Sequence, residues 1–159
     1  MTPFVVDTNV PIVANGCAPQ TDDQCRSSCV GKLRYLMEQG TVAIDGKDAL
    51  LKEYIDNFSR SGGRGVGDQF FIHVINHQYV ETRVQRAAVT PIDDERRSFE
   101  ELPENNFDLS DRKFLAVAVS AEAVVLNATD SDWGEQQELM DALGVEVEQL
   151  CPRHASRSA

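Results

Sequence analysis

The sequence has no long apolar run and no excess of positive charge. It nowhere contains the ~18 consecutive apolar residues that a membrane-spanning helix needs, so no such helix is predicted. It carries 15 Lys and Arg against 26 Asp and Glu, a formal net charge of −11, which excludes a basic, histone-like nucleic-acid binder and a polybasic membrane binder. The first residues lack the basic start and the apolar stretch of a signal peptide. We therefore expect a cytoplasmic protein.

Cysteine is also sparse, and its four positions are Cys17, Cys25, Cys29 and Cys151. In a reducing compartment free thiols are more common than disulfides, so free thiols are expected. Cys25 and Cys29 are four residues apart, which suits one face of a helix. The first three cysteines are a candidate zinc site, although their spacing is not that of a zinc knuckle or a zinc ribbon. The alternative is that they pack as small apolar residues.

The length of 159 residues fits a single domain. We expect that domain to occupy residues 1–150, followed by a polar and frayed tail over residues 151–159. The chain shows no internal repeat. Apolar runs that alternate with stretches of helical period predict an α/β fold with a parallel sheet covered on both faces.

The predicted elements alternate along most of the chain. Strands are predicted at residues 4–6, 41–44, 88–92, 123–127 and 145–150, and helices at residues 26–39, 47–59, 68–79, 111–121 and 133–143. Residues 7–25 are predicted to form a turn and a loop, and residues 93–109 a partly helical acidic segment. In such sheets a ligand crevice lies at the carboxyl ends of the strands, where the strand order reverses.

Acidic residues follow two of these strands. Asp7 ends the first apolar strand, and Asp130 and Asp132 follow the strand that ends at Asn127. If the two strands are neighbours, these acids meet at one edge of the sheet. Singly, an acid at such a position is usually a cap or a solvated residue. Carboxylates held close together repel each other, and a hard cation such as Mg²⁺ relieves that repulsion while needing only one or two of them as direct ligands. Two such ions can promote phosphodiester cleavage.

Four short motifs in order resemble the acidic motifs of PIN-domain nucleases. Residues 5–9 (VVDTN) resemble the opening motif, and Glu53, on the helix after the second strand, matches the second acid. Residues 110–118 (SDRKFLAVA) resemble the third motif, in which an Asp opens an apolar helix. Residues 130–133 (DSDW) resemble the fourth, although Ala128 stands where the family usually has Thr or Ser.

This resemblance spans residues 4–150 and implies a PIN-like three-layer sandwich with about five parallel strands. It implies a Mg²⁺- or Mn²⁺-dependent nuclease that hydrolyses phosphodiester bonds, most often in RNA, by activating a water molecule. Many small relatives are toxins bound by an antitoxin protein, and homodimers are common among them. The implied set comprises the metal-binding catalytic acids Asp7, Glu53, Asp111 and Asp130, the auxiliary acid Asp132, and Thr8 and Asn9, which would hydrogen-bond around Asp7.

Two other features leave alternatives open. Arg60 and Arg64 flank a glycine-rich loop that either meets substrate phosphates or is a solvated linker. That loop lacks the Lys-Ser/Thr ending of a P-loop, so we reject nucleotide binding through it. His73 and His77 are four residues apart and form a candidate zinc pair, but core or surface histidines are the more common interpretation.

Two alternative functions compete with a nuclease. A receiver-like signalling domain would use Asp45, at the end of the second strand, as phosphoacceptor, but it would need a Lys after a later strand, and the chain has no Lys after Lys113. A PIN-like domain that binds nucleic acid or protein without catalysis is the other alternative. Trp133 is expected to pack the start of its helix.

Overall fold

The fold is described here from a computed structural model, which describes residues 2–59, 65–93 and 98–155. Five strands form one parallel sheet in the order β3-β2-β1-β4-β5. The strands are β1 (Phe4–Val6), β2 (Val42–Asp45), β3 (Val84–Ala87), β4 (Val124–Asn127) and β5 (Val147–Gln149). Helices flank this sheet, so the predicted α/β three-layer architecture is confirmed.

The helices alternate with the strands along the chain. They are α1 (Asn9–Ala14), α2 (Asp23–Glu38), α3 (Ala49–Asn57), α4 (Val66–His77), α5 (Arg112–Ala121), α6 (Asp132–Glu135), α7 (Gln137–Leu143) and α8 (Pro152–Ala155). None of the helices in the described ranges is long and apolar enough to cross a membrane.

The strand order places a topological switch beside β1. The chain moves from β1 to β2 and β3 on one side, and then returns to form β4 on the other side of β1. Three residues of β1 pair in register with β4, from Phe4↔Val124 to Val6↔Leu126. The two strands that precede the predicted acids are therefore neighbours, and their carboxyl ends open on the crevice where such sheets bind ligands.

The core lies between the sheet and its helices. The amphipathic helix α5 packs across β1 to β4 through a buried apolar face that includes Phe114. Tyr54 and Trp133 are also fully buried, and Phe107 packs edge-on against Trp133 with ring centroids 4.8 Å apart. Phe70 is buried in the core as well.

Several predicted elements were wrong in place or kind. The turn predicted after Asp7 contains helix α1. Pro11 is tolerated there because the first turn of a helix leaves its N–H groups unbonded in any case. The third strand lies at Val84–Ala87 rather than at residues 88–92, because an edge strand carries polar residues and lacks a continuous apolar run.

The later segments also differ from expectation. Residues 98–109 form turns and bends rather than helix, and the predicted helix 133–143 is two helices that meet at Gln136. The expected tail folds in part: Cys151 is buried and is followed by α8. The cysteine prediction was wrong for two positions, because Cys25 and Cys151 form a disulfide, while Cys17 and Cys29 are free.

Candidate metal centre

Three of the predicted acids meet at the carboxyl end of the β1/β4 pair. One carboxylate oxygen from each of Asp7, Asp111 and Asp130 lies within 4.8 Å of the others. Asp7 follows β1 directly, Asp130 lies in the turn after β4, and Asp111 is the N-cap residue of α5. Since α5 packs across the central strands, it brings its first turn to this edge of the sheet.

Asp7 is the most enclosed of the three acids. Its side chain is only 5% exposed, and Trp133 Nε1 donates a hydrogen bond to Asp7 Oδ2 at 2.7 Å. The Asn9 backbone N–H donates to Asp7 Oδ1 at 3.4 Å. Burial raises the pKa of Asp7 to about 7, the hydrogen bond from Trp133 opposes that shift, and the charge of Asp130 adds to it.

Asp111 is also held in a state that resists ionisation. Burial raises the pKa of Asp111 well above its ordinary range, and the negative charge of Asp7 and a hydrogen bond with Asp130 raise it further. Burial disfavours the charged form, and charged carboxylates a few ångströms apart also repel each other in a poorly solvated site. A divalent cation would relieve this repulsion.

A second acidic group shares a member with the first. Oxygens of Asp108, Asp111 and Asp132 also lie within 4.8 Å of one another. Asp108 is exposed, and its carboxylate accepts hydrogen bonds from the backbone N–H and the hydroxyl of Ser110. Asp111 therefore lies between two sets of acidic oxygens. Asp108 was not among the residues predicted from the sequence. The one signal that could have indicated it is its position three residues before Asp111.

Glu53 lies at the edge of the centre rather than inside either group. The Thr8 hydroxyl donates a hydrogen bond to Glu53 Oε2, and Lys113 Nζ forms an ion pair with Glu53 Oε1 at 2.7 Å. Neighbouring acids on or beside α3 differ from it. Asp48 forms an ion pair with Arg86 at 3.0 Å, and Asp56 is exposed. Glu53 therefore contacts Thr8, in the segment that follows β1, and its ion pair with Lys113 is a contact that the sequence did not indicate.

Of the two predicted supporting residues, Asn9 bonds Asp7 through its backbone N–H, whereas Thr8 does not. Thr8 bonds Glu53, not Asp7. The side chain of Asn9 accepts a hydrogen bond from the Ala128 backbone N–H at 2.8 Å and donates to Asn127 Oδ1 at 2.9 Å, so it ties the end of β1 to the turn after β4. Of the hydrogen bonds named here for Thr8 and Asn9, the one to Asp7 comes from the Asn9 backbone N–H.

Asn127 and Trp133 are the positioning residues that sequence reasoning missed. Asn127 is fully buried; its amide donates to the Asp130 carbonyl at 2.7 Å, and its Oδ1 accepts from the Asp130 N–H at 3.2 Å. The Asp130 carboxylate in turn accepts a hydrogen bond from the Asp132 N–H at 2.9 Å. Trp133 does pack at the start of its helix, but its N–H also fixes Asp7.

The remaining sequence candidates fall outside this centre. Asp45 accepts hydrogen bonds from the backbone N–H groups of Lys47, Ala49 and Leu50, so its carboxylate caps the start of α3 rather than presenting a free phosphoacceptor. His73 and His77 stack with ring centroids 4.4 Å apart, and within the described ranges neither joins a group of three metal-binding side chains.

Arg60 and Arg64 lie outside the described residues, so their predicted contact with phosphates has no structural description here.

The chain was compared with protein-family models, with curated proteins and with solved structures. No protein-family model matches the chain, and no match was found among the curated proteins or the solved structures.

Proposed function

We propose that this protein is a Mg²⁺- or Mn²⁺-dependent nuclease that hydrolyses phosphodiester bonds in RNA. The observation that carries the proposal is the convergence of Asp7, Asp111 and Asp130 within 4.8 Å at the switch point of a parallel sheet. The resemblance of four ordered motifs to those of PIN-domain nucleases supports the same conclusion.

The donor set suits a hard divalent cation. The two acidic groups offer carboxylate oxygens alone, which are the ligands that Mg²⁺ and Mn²⁺ prefer. Burial, with the charges of Asp130 and Glu53 adding to it, raises the pKa of Asp7, and a bound cation would favour its ionised form. Asp7, Asp111 and Asp130 would hold the ion, and Asp108 and Asp132 offer a second group of oxygens beside Asp111.

A bound cation would supply charge to activate water and to stabilise the developing negative charge on phosphate oxygens. The chain's own residues prepare that site. Trp133 and the backbone of Asn9 fix the two oxygens of Asp7, and Asn127 fixes the turn that carries Asp130. Preorganised ligands of this kind lower the cost of reaching the reactive geometry.

Lys113 is the described cationic side chain at the edge of the centre. Its ammonium group lies 2.7 Å from Glu53 and is partly exposed, so it balances one acid while remaining reachable by a phosphate group. In this proposal Lys113 and Glu53 separate when substrate and metal bind. Glu53 then completes the acidic set.

The substrate class follows from the proposed family. RNA is the usual substrate of the nucleases that the motifs resemble, and the location proposed for the protein is the cytoplasm. An antitoxin protein that offers a basic side chain to the acidic centre would be its inhibitor, and a homodimer is the expected assembly. The net charge of −11 favours such a basic partner over a non-specific polyanion.

Cleavage of mixed single-stranded RNA and DNA pools tests the proposal. Wild type, wild type with EDTA, and Asp7→Asn are compared in Mg²⁺ and in Mn²⁺, with circular dichroism on each sample. Asp141→Asn is the matched control, because Asp141 is exposed on α7 and bonds the side chain of Gln137. We expect metal-dependent RNA cleavage by wild type and Asp141→Asn only. A folded wild type that binds nucleic acid but never cleaves it would favour the non-catalytic binding module.

A further inference from the structure

Three cysteines that are not members of the acidic groups converge at a second place in the fold. Cys25 and Cys29 lie one helical turn apart on α2, and Cys151 lies just before α8. All three are buried, and their sulfur atoms lie within 4.8 Å of one another. In the structure Cys25 and Cys151 are joined as a disulfide, and the free Cys29 Sγ lies 3.8 Å from Cys151 Sγ.

We infer that the reduced protein binds one Zn²⁺ ion through Cys25, Cys29, Cys151 and His154. The ion would link α8 and the residue before it to helix α2. Because Cys25 cannot bind zinc while it is bonded to Cys151, the zinc site and the disulfide exclude each other. This inference is independent of the proposed nuclease activity, since none of the four residues belongs to the acidic centre.

One of the sulfur-to-sulfur distances already fits tetrahedral zinc. A Zn–S bond of about 2.3 Å in a tetrahedral site separates two sulfur ligands by about 3.8 Å. The Cys29–Cys151 pair already has that separation. Cys25 and Cys151 must lose their mutual bond and move apart, while Cys25 and Cys29 stay on one face of α2. Thiolate ligands select zinc over the hard cations proposed for the acidic centre.

In this proposal His154 supplies the fourth ligand after its side chain moves, because only the three sulfur atoms lie within 4.8 Å of one another in the structure. It follows Cys151 by three residues in α8, and it lines, with Cys25 and Cys151, a pocket of about 270 Å³ that gives an ion a route from solvent. Its Nε2 atom is shielded from solvent and lies 3.4 Å from Asp22 Oδ2. A carboxylate that faces one nitrogen of an imidazole is the usual device for orienting a zinc-bound histidine, which leaves Nδ1 for the ion.

The disulfide form is converted to the zinc-bound form in two steps, reduction and metal binding. A dithiol reductant donates two electrons and two protons to the Cys25–Cys151 bond and leaves as its own disulfide, so that three thiols are present. Zinc then binds as the three thiols release three protons.

The test uses the full chain, reduced with a dithiol and freed of reductant by gel filtration without oxygen. Cobalt(II) is titrated as a spectroscopic substitute for zinc, and zinc is then added to displace it. Thiolate-bound cobalt gives an intense sulfur-to-metal charge-transfer band, whereas cobalt on the carboxylates of the acidic centre does not. The variants are Cys29→Ala, His154→Ala and the matched control Cys17→Ala, which removes an exposed free cysteine outside the cluster.

We expect one equivalent of thiolate-bound cobalt in wild type and in Cys17→Ala, and its displacement by zinc. Cys29→Ala should lose the band, and His154→Ala should shift the visible bands and bind zinc at least ~10-fold more weakly. Circular dichroism checks that each variant is folded. A reduced wild type without the band would overturn the inference, as would a Cys29→Ala variant that binds like wild type. Unchanged cobalt bands in His154→Ala would overturn the four-ligand site.

Discussion

The indole N–H of Trp133 donates a hydrogen bond to Asp7 Oδ2 at 2.7 Å, and the two residues are 126 positions apart in the chain. Trp133 is fully buried against Phe107, and Asp7 is nearly so. The bond opposes the effect of burial on the pKa of Asp7, so Trp133 favours the ionised carboxylate that a cation would bind. Trp133, a core aromatic residue, therefore orients and helps to ionise Asp7, a candidate metal ligand.

Trp133→Phe should weaken function without removing any carboxylate. It deletes the N–H and keeps an aromatic ring, so we expect the pKa of Asp7 to rise and the lower limb of the pH–cleavage profile to move to higher pH. A hydrogen bond to a charged group contributes about 1.5–3 kcal/mol, and loss of a positioning residue typically costs 10–100-fold in activity. Cleavage rates from pH 6 to pH 9 measure the shift. A uniform loss of rate with an unshifted profile would mean that Trp133 acts through packing alone.

Asp7→Asn should abolish cleavage and preserve the fold. The amide oxygen of Asn can still accept the Trp133 hydrogen bond, whereas the charge that binds a cation is gone. We expect activity to fall by more than the ~100-fold that a positioning residue accounts for. Because burial raises the pKa of Asp7 to about 7, a neutral amide at pH 8 should hold or raise the metal-free melting temperature, by about 2–4 °C for each 1 kcal/mol gained.

Thermal melts of Asp7→Asn and Asp141→Asn, with and without Mg²⁺, measure this effect. Wild type should gain stability from Mg²⁺, and Asp7→Asn should gain much less. A largely unfolded Asp7→Asn would show that Asp7 serves the structure rather than the proposed reaction.

Lys113→Met should tighten metal binding. The Lys113 ammonium group competes with a cation for Glu53, and both side chains are partly exposed, at 20% and 26%. Partly solvated ion pairs contribute about 0.2–1 kcal/mol, so we expect Mg²⁺ affinity to rise by about 2- to 5-fold while metal-free stability falls. Lys52→Met, which removes an exposed lysine next to Glu53 in sequence, is the control. Equal Mg²⁺ affinity in both variants, measured by calorimetry, would argue that Glu53 takes no part in binding the ion.

Sequence patterns were most informative where burial is continuous. The central strands β1 and β4 are short apolar runs, which is typical of strands buried on both faces, and the acids that follow them were placed together for that reason. The edge strand β3 contains Gln85 and Arg86, so its pattern resembled a loop. Helix α1 was missed because it is only six residues long and contains Pro11, which usually indicates a turn but here occupies the first helical turn.

Contacts between distant residues were not predictable in this way. The Trp133–Asp7 bond, the Cys25–Cys151 disulfide and the Lys113–Glu53 ion pair each join elements whose relative rotation depends on packing of the whole domain. Periodicity gives the face of a helix but not the partner that it meets. Motif spacing could therefore nominate Glu53 and Asp111 as candidates, but it could not indicate that Lys113 would contact Glu53.

The metal-free protein should become less stable as pH rises. Asp7 and Asp111 both have a folded-state pKa above the ordinary value for Asp, so the folded protein binds more protons than the unfolded chain between the two values. Their contribution to stability is fully present below pH ~4, and it is lost as pH rises through the folded pKa, which is about 7 for Asp7. We expect the melting temperature in EDTA to fall between pH 5 and pH 8 and to keep falling above it, as Asp111 ionises.

Saturating Mg²⁺ should reverse this trend, since the cation binds the ionised carboxylates and its stabilising effect grows as protons leave. The same melts on Asp7→Asn should show a shallower decline in EDTA between pH 5 and pH 8, because the group that titrates there has been removed. Asp141→Asn should follow wild type. A melting temperature in EDTA that rises across this range in wild type would mean that Asp7 ionises at its ordinary pKa, and that its burial carries no electrostatic cost for a metal to relieve.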